Sequence, residues 1–556
     1  MAILTQKAAR LLAGSAVLAL AGCNGADNVA SPGAGTIIIG APTPSPTPAP
    51  TSTPTPSAIT AAQFASTSGQ SFTAGGVSQQ FTITADEQLA IVNAGSNNNV
   101  NGVGSTLNGV YPTGGTSLAA AVDPSTINSF FTSTNYVGAL NGPTDTSFQG
   151  WTCNSSSAEF GGSGARCTAV PAVGTLAAGA ACPAGTTTPT GAATTATSAT
   201  QGGFKVCDIP QQITTSLTLP RIPGIAYRFT GQTEVGADVG QTGGDSGIAL
   251  NIEPGVVLFA NANEPTNDLI LVNRGSKINA VGDVNNPIII TSQQNLNNNG
   301  VSDASQGQWG GIILLGRAPT AVCAGTTGPN NAAGSSPTCQ QQIEGVTGRF
   351  YGGPTVADSS GRMSYVQIRY SGIAISDGNE LQGLTLGGTG SGTTIDHVQS
   401  HNSADDGVEI FGGATNIKYF VATGADDDGF DIDNGYRGFI QFMVAAQRTI
   451  GATADSFSTE IDSNLNEDLL PRTFGNYANF TFIQTAAAPA AIRLRGGADM
   501  RFVNGVVKSP ANVACVNLIA QEASAGDRST IRAADASRQD NGPPIFNSVY
   551  FACNGR

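Results

Sequence analysis

Short segments in the second half of the chain alternate apolar and polar residues, and they recur at a nearly constant offset. Residues 408–410 alternate in this way, and residues 430–432 repeat the pattern 22 positions later. Residues 491–497 match the first segment again and end in a pair of glycines. A period of two predicts β-strands with one buried face, so we expect the apolar residues to point inward and Glu409 and Asp431 to point outward.

The offset between these segments predicts the fold. Val398, Phe420 and Phe442 occupy equivalent strand positions, 22 residues apart each time, and residues 252–256 and 272–276 form an earlier pair that is 20 apart. Repeats of 20–22 residues with two or three short strands are typical of the rungs of a parallel β-helix, whereas a leucine-rich repeat needs a leucine pattern that this chain lacks. Glycine pairs mark the tight corners between strands. We therefore predict an all-β fold, a parallel β-helix.

The first residues look like an export signal. Lys7 and Arg10 precede an apolar stretch too short to span a bilayer, and the small residues before Cys23 resemble the cleavage site of bacterial lipoproteins. We expect residues 1–22 to be removed and the thiol of Cys23 to carry a lipid. Asn24, rather than an aspartate, follows the cysteine. By resemblance to the enteric sorting rule, this favours a lipid-anchored protein of the outer membrane, exposed on the cell surface.

Two further segments precede the repeats. Residues 23–58 comprise the lipidated N-terminus and a run of prolines and threonines, which favours extended polyproline II and predicts a semi-rigid stalk. Residues 59–210 show no comparable repeat, and we interpret them as a small cap or disulfide-containing domain that seals the N-terminal end of the solenoid. The parallel β-helix is expected over residues 211–556.

The cysteine content agrees with an oxidising compartment. Besides Cys23 the chain has eight cysteines, and an even number in an exported protein suggests four disulfides. We expect neighbours in the sequence to pair, and in particular Cys323 to bond to Cys339. The disulfide candidates are Cys153, Cys167, Cys182, Cys207, Cys323, Cys339, Cys515 and Cys553.

Charge limits the classes of partner. The formal net charge is −14 and the sequence pI is about 4.5. Nucleic acids and anionic lipid headgroups bind basic surfaces, so we exclude nucleic acid as a ligand. An acidic chain can instead bind cations.

Aspartates at the repeat corners form the best candidate site. The offset of 22 places Asp405 and Asp406 one rung before Asp427 and Asp428, with Asp431 just beyond them. Equivalent residues on adjacent strands lie about 4.8 Å apart, where carboxylates repel each other. Three hypotheses explain how the repulsion is relieved or used: hydrogen bonds to corner amides, a structural Ca²⁺ ion, or catalytic carboxylates.

Basic side chains offer a further way to balance these charges. Lys418 and Arg437 are near in sequence and could cover the aspartates. The run of acidic residues from Asp426 to Asp433 superficially resembles a calcium loop of the EF-hand type. It lacks the glycine at the sixth position and the glutamate at the twelfth, so an EF-hand is excluded.

Several segments resemble a known family. Residues 401–410 resemble the repeat of pectin-lyase-like proteins, and this resemblance implies that the β-helix is right-handed. The chain also resembles a widespread group of uncharacterised secreted or lipid-anchored β-helix proteins. The matching pieces are residues 251–256, 274–278, 309–313, 379–388 and 424–428. Members of this group commonly occur alongside TonB-dependent outer-membrane receptors, so the resemblance implies such a receptor as a candidate partner.

The same superfamily includes polysaccharide hydrolases, lyases and epimerases, which define the alternative function. Polygalacturonase-like hydrolases add Gly-His-Gly and Arg-Ile-Lys motifs to their paired aspartates, and neither His397 nor His401 lies in such a motif. Aromatic residues make up only 6% of the chain, and two tryptophans are available as sugar platforms. We therefore favour a surface module that binds a glycan or another surface partner, and we assign no catalytic residue.

Overall fold

The structure is a computed structural model, and it describes most of the chain from residue 121 onward. The described residues are 71–74, 77–80, 121–141, 145–153, 166–172, 174–189, 200–261, 268–302, 304–323, 339–376, 379–448, 453, 455–464, 467–484, 488, 490–509, 513–518, 530 and 533–552. Cys23, the predicted signal peptide, the stalk and Cys553 lie outside them. Among the described residues, no helix has the length and apolar character needed to cross a membrane.

Strands dominate the described residues, and helices are short. The strands of the first part are β1 (Ser71–Ala74), β2 (Val77–Gln80), β3 (Thr200–Gln201), β4 (Phe204–Asp208), β5 (Gln212–Ile213), β6 (Leu217–Leu219), β7 (Ile225–Phe229), β8 (Gln232–Val235), β9 (Ala249–Ile252), β10 (Val257–Ala260), β11 (Leu269–Val272), β12 (Lys277–Val281), β13 (Ile288–Ser292), β14 (Ile312–Leu315), β15 (Gln341–Gln342) and β16 (Phe350–Tyr351). The helices are the α-helix α1 (Gln293–Leu296) and the 3-10 turns Pro124–Thr126 and Ala536–Arg538.

The second part contains longer strands. They are β17 (Gly361–Arg369), β18 (Ile373–Ser376), β19 (Asn379–Leu381), β20 (Leu384–Gly387), β21 (Thr394–His401), β22 (Val408–Phe411), β23 (Asn416–Thr423), β24 (Phe430–Asp433), β25 (Phe439–Ala446), β26 (Thr459–Ile461), β27 (Phe474–Ile483), β28 (Ala490–Leu494), β29 (Asp499–Lys508), β30 (Ala514–Leu518), β31 (Ile545–Asn547) and β32 (Tyr550–Ala552).

Two large sheets wrap around one core and confirm the predicted right-handed parallel β-helix. A ten-stranded sheet runs in the order β30-β28-β26-β24-β22-β20-β14-β11-β8-β5. A sixteen-stranded sheet supplies the other sides of each rung. Its long strands are β17, β21, β23, β25, β27 and β29. Within both sheets successive rungs pair in parallel, as in β22 with β24 and β21 with β23. The interior is filled by aliphatic and aromatic side chains from both sheets.

The predicted register is correct for the ten-stranded sheet and wrong by one residue in one place. Val408 pairs with Phe430 as expected, and Val398 pairs with Phe420. Phe420 then pairs with Met443, not with Phe442. Phe442 has a φ of 62° and lies at a bend in its strand, just before the paired position. The rung from Phe420 to Met443 is therefore one residue longer than the predicted offset of 22.

The pair of segments 20 residues apart in the first half does not mark one rung. Ile252 pairs with Ala280, whereas Val272 pairs with Val235 and Leu314 in the other sheet. The two segments are therefore similar turns that follow strands of different sheets. The predicted repeat of 20 residues is wrong because turns of the same type have similar sequences.

Residues 121–141 and 145–153 lie along the outside of the sixteen-stranded sheet. The main chain of Val122 exchanges two hydrogen bonds with the side-chain amide of Asn504, and the main chain of Cys153 does the same with Gln399. Because Gln399 lies several rungs before Asn504, the segment runs back along the solenoid from late rungs toward early ones.

The N-terminal end of the solenoid is covered by the chain that precedes β4. Leu176 and Cys182 pack against the end of the core, and Cys182 is bonded to Cys207 in β4. The hairpin formed by β1 and β2 lies beside β30 and β32, at the other end. The region from residue 59 to 210 thus contacts both ends and one side of the solenoid in its described parts.

Cysteines that are neighbours in the sequence form disulfides. The bonds are Cys153–Cys167, Cys182–Cys207 and Cys323–Cys339. Cys515 is also disulfide-bonded. Cys153 and Cys167 are both fully buried, and this first disulfide packs against Tyr370, next to the end of β17.

Candidate cation- and ligand-binding site

Carboxylates collect on the outer side of the ten-stranded sheet and at the corner that leads into it. The apolar residues of β22 and β24 belong to the core, so alternation turns Glu409 and Asp431 to the outside, where they pair across the two strands. Two acidic corners, one rung apart, precede these strands. We call this set the acidic patch; its members are Asp405, Asp406, Glu409, Asp427, Asp428 and Asp431.

Two aspartates of the patch bond the corner amide of the following rung. Asp406 Oδ1 accepts a hydrogen bond of 2.8 Å from the amide of Asp428, and Asp428 Oδ1 accepts one of 2.5 Å from the amide of Phe457. The hypothesis of corner hydrogen bonds therefore holds for one oxygen of each residue. Asp405 also accepts a hydrogen bond from a corner amide, that of Asp406. Corner amides do not account for the carboxylates of Asp427 and Asp431.

The structure brings the patch together in two overlapping groups. Ligand oxygens of Asp405, Asp406 and Asp427 all lie within 4.8 Å of one another, and so do those of Asp406, Glu409 and Asp431. We call these the corner group and the strand group. Asp406 belongs to both, whereas Asp428, which the sequence analysis placed in the site, belongs to neither.

Oxygen atoms without partners lie inside this patch. Glu409 is only 6% exposed, and its Oε2 accepts no hydrogen bond from any described residue. The Oδ1 atom of Asp431 is likewise buried without a partner among the described residues. Leaving a buried charged oxygen unpaired is costly, so the arrangement fits a bound cation or a bound proton. An all-oxygen donor set suits a hard ion such as Ca²⁺.

Burial and mutual repulsion both disfavour ionisation in the patch. Desolvation raises the pKa of Asp405, Asp406, Glu409 and Asp431 well above their ordinary values, and the neighbouring carboxylates raise each of them further. The pKa of Asp427 is raised to about 6 for the same reasons. Without a cation, the patch keeps protons that ordinary carboxyl groups have lost at neutral pH.

The two basic residues proposed to cover these charges lie elsewhere. Lys418, in β23 of the sixteen-stranded sheet, donates a hydrogen bond to Thr132 and lies over the ring of Phe130. Arg437 donates to the carbonyl oxygen of Arg472. Burial raises the pKa of Asp431, and the positive charge of Arg495 offsets part of this rise. The nearest ion pairs join Arg493 and Arg495 to a glutamate one rung later.

Two hairpins border the patch on the side of the earlier rungs. The hairpins β15–β16 and β18–β19 pack apolar side chains on the outer face of β11 and β14. Glu344 from the first hairpin approaches Glu409, and Gln382 donates hydrogen bonds to both Glu344 and Asp405. Burial raises the pKa of Glu344 to about 7.

The remaining candidates from the sequence serve the packing of the solenoid. His397 stacks between Tyr365 and Tyr419 at the strand bends. His401 is fully buried, and burial lowers its pKa to about 3. Trp151 is 0% exposed and Trp309 is 1% exposed. Neither tryptophan can serve as a sugar platform, and neither histidine lies in the patch.

Sequence reasoning missed two contributors to the site. Glu409 was expected to point outward, and its offset of 22 from Asp431 was a usable signal that the two residues are neighbours. Glu344 lies in an inserted hairpin far away in the sequence, and no repeat pattern indicated that it folds over β22.

Two large sheets of parallel strands around one core define the protein as a parallel β-helix. Residues 223–539 match the family model described as a pectate-lyase-like β-helix domain, and the chain belongs to this family. A comparison with curated proteins found no match to the chain.

Proposed function

We propose that the protein is an outer-membrane lipoprotein that displays the acidic patch on the cell surface and binds a glycan or another surface partner there. The observation that carries this proposal is the partly exposed set of carboxylates on the outer side of the ten-stranded sheet, where oxygens of three residues lie within 4.8 Å of one another. Carboxylates and bound cations both interact with sugar hydroxyl groups. Attachment through Cys23 and a stalk would hold this surface away from the lipid.

A structural Ca²⁺ ion is part of the proposal. The carboxylates of the patch stand close together, and Arg495, whose charge offsets part of the rise in the pKa of Asp431, forms ion pairs with Glu460 and Asp462. Binding of a divalent cation would relieve this repulsion and satisfy the unpartnered oxygen of Glu409. A TonB-dependent receptor is a candidate partner, and the protein would then act as an accessory that presents a glycan to it.

One observation favours an enzyme as the second candidate. Glu344 has a pKa of about 7, and a carboxyl group that remains protonated near neutral pH is what a general acid requires. Glu409 and Asp431 would supply the second carboxylate. We favour binding because both tryptophans are buried and no matched catalytic motif surrounds these residues.

A binding assay that also detects cleavage distinguishes the two candidates. The full chain is tested against immobilised neutral and acidic polysaccharides, with calcium and with a chelator, and the soluble phase is assayed for new reducing ends. We expect calcium-dependent retention without cleavage, and loss of retention in Asp431→Asn. Asp283→Asn removes the same charge on a distant loop, where asparagine can still accept the amide hydrogen bonds, and should bind normally.

Two results would contradict the proposal. Release of reducing ends that depends on Glu344 would make the protein an enzyme. Absence of retention on every polysaccharide, in calcium and with correctly folded protein, would remove the glycan as its ligand.

A further inference from the structure

We propose that the acidic patch binds two divalent cations that share Asp406, one in the corner group and one in the strand group. The inference rests on the cation dependence proposed above. It goes further by fixing the number of ions, their ligands and the different role of each ion.

Both groups are compact enough for their oxygens to surround one cation. The three ligand atoms of each group lie within 4.8 Å of one another. Ca²⁺ holds its oxygen ligands at about 2.3–2.6 Å, so two ligands of one ion are at most about 4.6–5.2 Å apart. Each group can therefore bind one calcium ion without large movement of the strands.

The strand group has an independent sign of a missing ligand. Glu409 is 94% buried, since it is 6% exposed, and its Oε2 has no partner among the described residues. Asp431 Oδ1 is in the same situation on the next strand. Corner hydrogen bonds satisfy neither oxygen. A cation bound between Glu409 and Asp431 would supply the missing partner, whereas the corner group contains neither residue.

Asp406 is held in position to bridge the two groups. Its Oδ1 accepts the amide of Asp428, which fixes the carboxylate at the corner where β22 begins. Two ions that share one carboxylate are commonly about 3.5–4 Å apart. A shared aspartate also couples the two ions, so loss of Asp406 should weaken both.

The two ions have different surroundings. The corner ion joins two successive rungs through Asp405 and Asp427 and so has a structural role. The strand ion has three protein carboxylates, fewer than the six to eight oxygens that Ca²⁺ takes. Its remaining positions are on the side of Asp431, which is partly exposed. We assign hydroxyl or carboxylate oxygens of the glycan to these positions.

Calorimetric titration of the metal-free full chain with calcium tests the number of ions. We expect two ions per chain for the wild type, one for Glu409→Gln and one for Asp405→Asn. Asp406→Asn retains an oxygen for the Asp428 amide, and we expect it to weaken both ions at least tenfold. Asp283→Asn is the charge-matched control and should bind two. A single ion in the wild type, or loss of the same ion in Glu409→Gln and Asp405→Asn, would overturn the inference.

A second measurement needs no variant. Mn²⁺ replaces calcium at oxygen sites, and two manganese ions bridged by one carboxylate give a spin-coupled resonance spectrum. An uncoupled spectrum at saturation contradicts a shared Asp406. Glycan retention measured on the same samples separates the two proposals. Two ions without glycan binding overturns the proposed function alone, and retention abolished by Asp405→Asn but not by Glu409→Gln overturns the assignment of the glycan to the strand ion.

Discussion

Removal of divalent cations should make the stability of the protein fall as pH rises through the neutral range. Asp427 has a folded pKa of about 6, against 3.8 for an ordinary aspartate, and Glu344 has one of about 7, against 4.5. A carboxyl group whose folded pKa is raised contributes its stability below the unfolded pKa and loses it as pH rises through the folded pKa. The loss should therefore extend from about pH 4 to about pH 7.

The size of the effect follows from the same values. One pKa unit corresponds to about 1.4 kcal/mol, so Asp427 alone accounts for up to about 3 kcal/mol. Because Asp427 is partly exposed, solvent screening reduces this to on the order of 1–2 kcal/mol. Coulomb repulsion gives a similar scale: two charges on adjacent strands, about 4.8 Å apart, repel by about 0.9 kcal/mol in water and about 3.5 kcal/mol at an effective dielectric constant of 20.

Equilibrium unfolding in urea measures this directly. The midpoint is compared near pH 5 and near pH 7.5, once with a chelator and once with saturating calcium. In the presence of chelator, we expect the free energy of unfolding to fall by on the order of a few kcal/mol across this range. Calcium at 100 times its dissociation constant should raise the free energy of unfolding by about 2.7 kcal/mol for each bound ion at the higher pH. In the presence of chelator, Asp431→Asn should be more stable than the wild type, because it removes one repelling charge.

Equal stability at both pH values in the presence of chelator would contradict this pH dependence. The same conclusion follows if calcium fails to raise the midpoint at the higher pH. Asp283→Asn should behave as the wild type under all conditions, since its loop is remote from the acidic patch.

Three further predictions address the anchor, the rungs and the C-terminal cysteine. Cys23→Ser should abolish incorporation of a labelled fatty acid and release the protein from membranes; equal membrane retention would contradict lipidation. Gly407→Ala should destabilise the fold by about 1–3 kcal/mol, because a Cβ there would lie 2.6 Å from a carbonyl oxygen of the next rung. Gly244→Ala, which has open space, should be neutral in the same unfolding assay. A non-reduced digest should yield a peptide that links Cys515 to Cys553, and a free thiol at Cys553 would exclude this pairing.

The sequence was sufficient to predict the solenoid because each rung repeats the same inward residues. The match of Val408 to Phe430 survives in the structure as a paired position of β22 and β24. The error at Phe442 has a physical cause. Apolar residues occupy both the bend and the first position after it, so hydrophobicity cannot tell Phe442 from Met443, and only the φ of 62° identifies the bend.

The candidate site could be predicted in part. A constant offset was enough to place Asp406 near Asp428 and Asp431, because neighbouring rungs stack. It could not show that the carboxylate of Asp428 bonds the amide of Phe457. It also gave no information on Glu344, since the position of an inserted hairpin depends on long-range packing rather than on the repeat.

The path of residues 121–141 and 145–153 was not predictable for a related reason. The segment has no repeat of its own, and its contacts are hydrogen bonds between its main chain and amides such as Gln399 and Asn504. Those amides point outward from strands that are far away in the sequence. A region without periodicity therefore suggested a separate cap, although its described part at residues 121–141 and 145–153 follows the side of the solenoid.

The most direct test of the central claim is an anomalous difference map from crystals of the protein grown in calcium and measured at a long wavelength. The account predicts two peaks on the outer side of the ten-stranded sheet, one on each side of the Asp406 carboxylate. Asp431 and Glu409 should lie around one peak, and Asp405 and Asp427 around the other. A map with no peak in the acidic patch, with these carboxylates as well ordered as the strands that carry them, would contradict the claim that this surface binds cations.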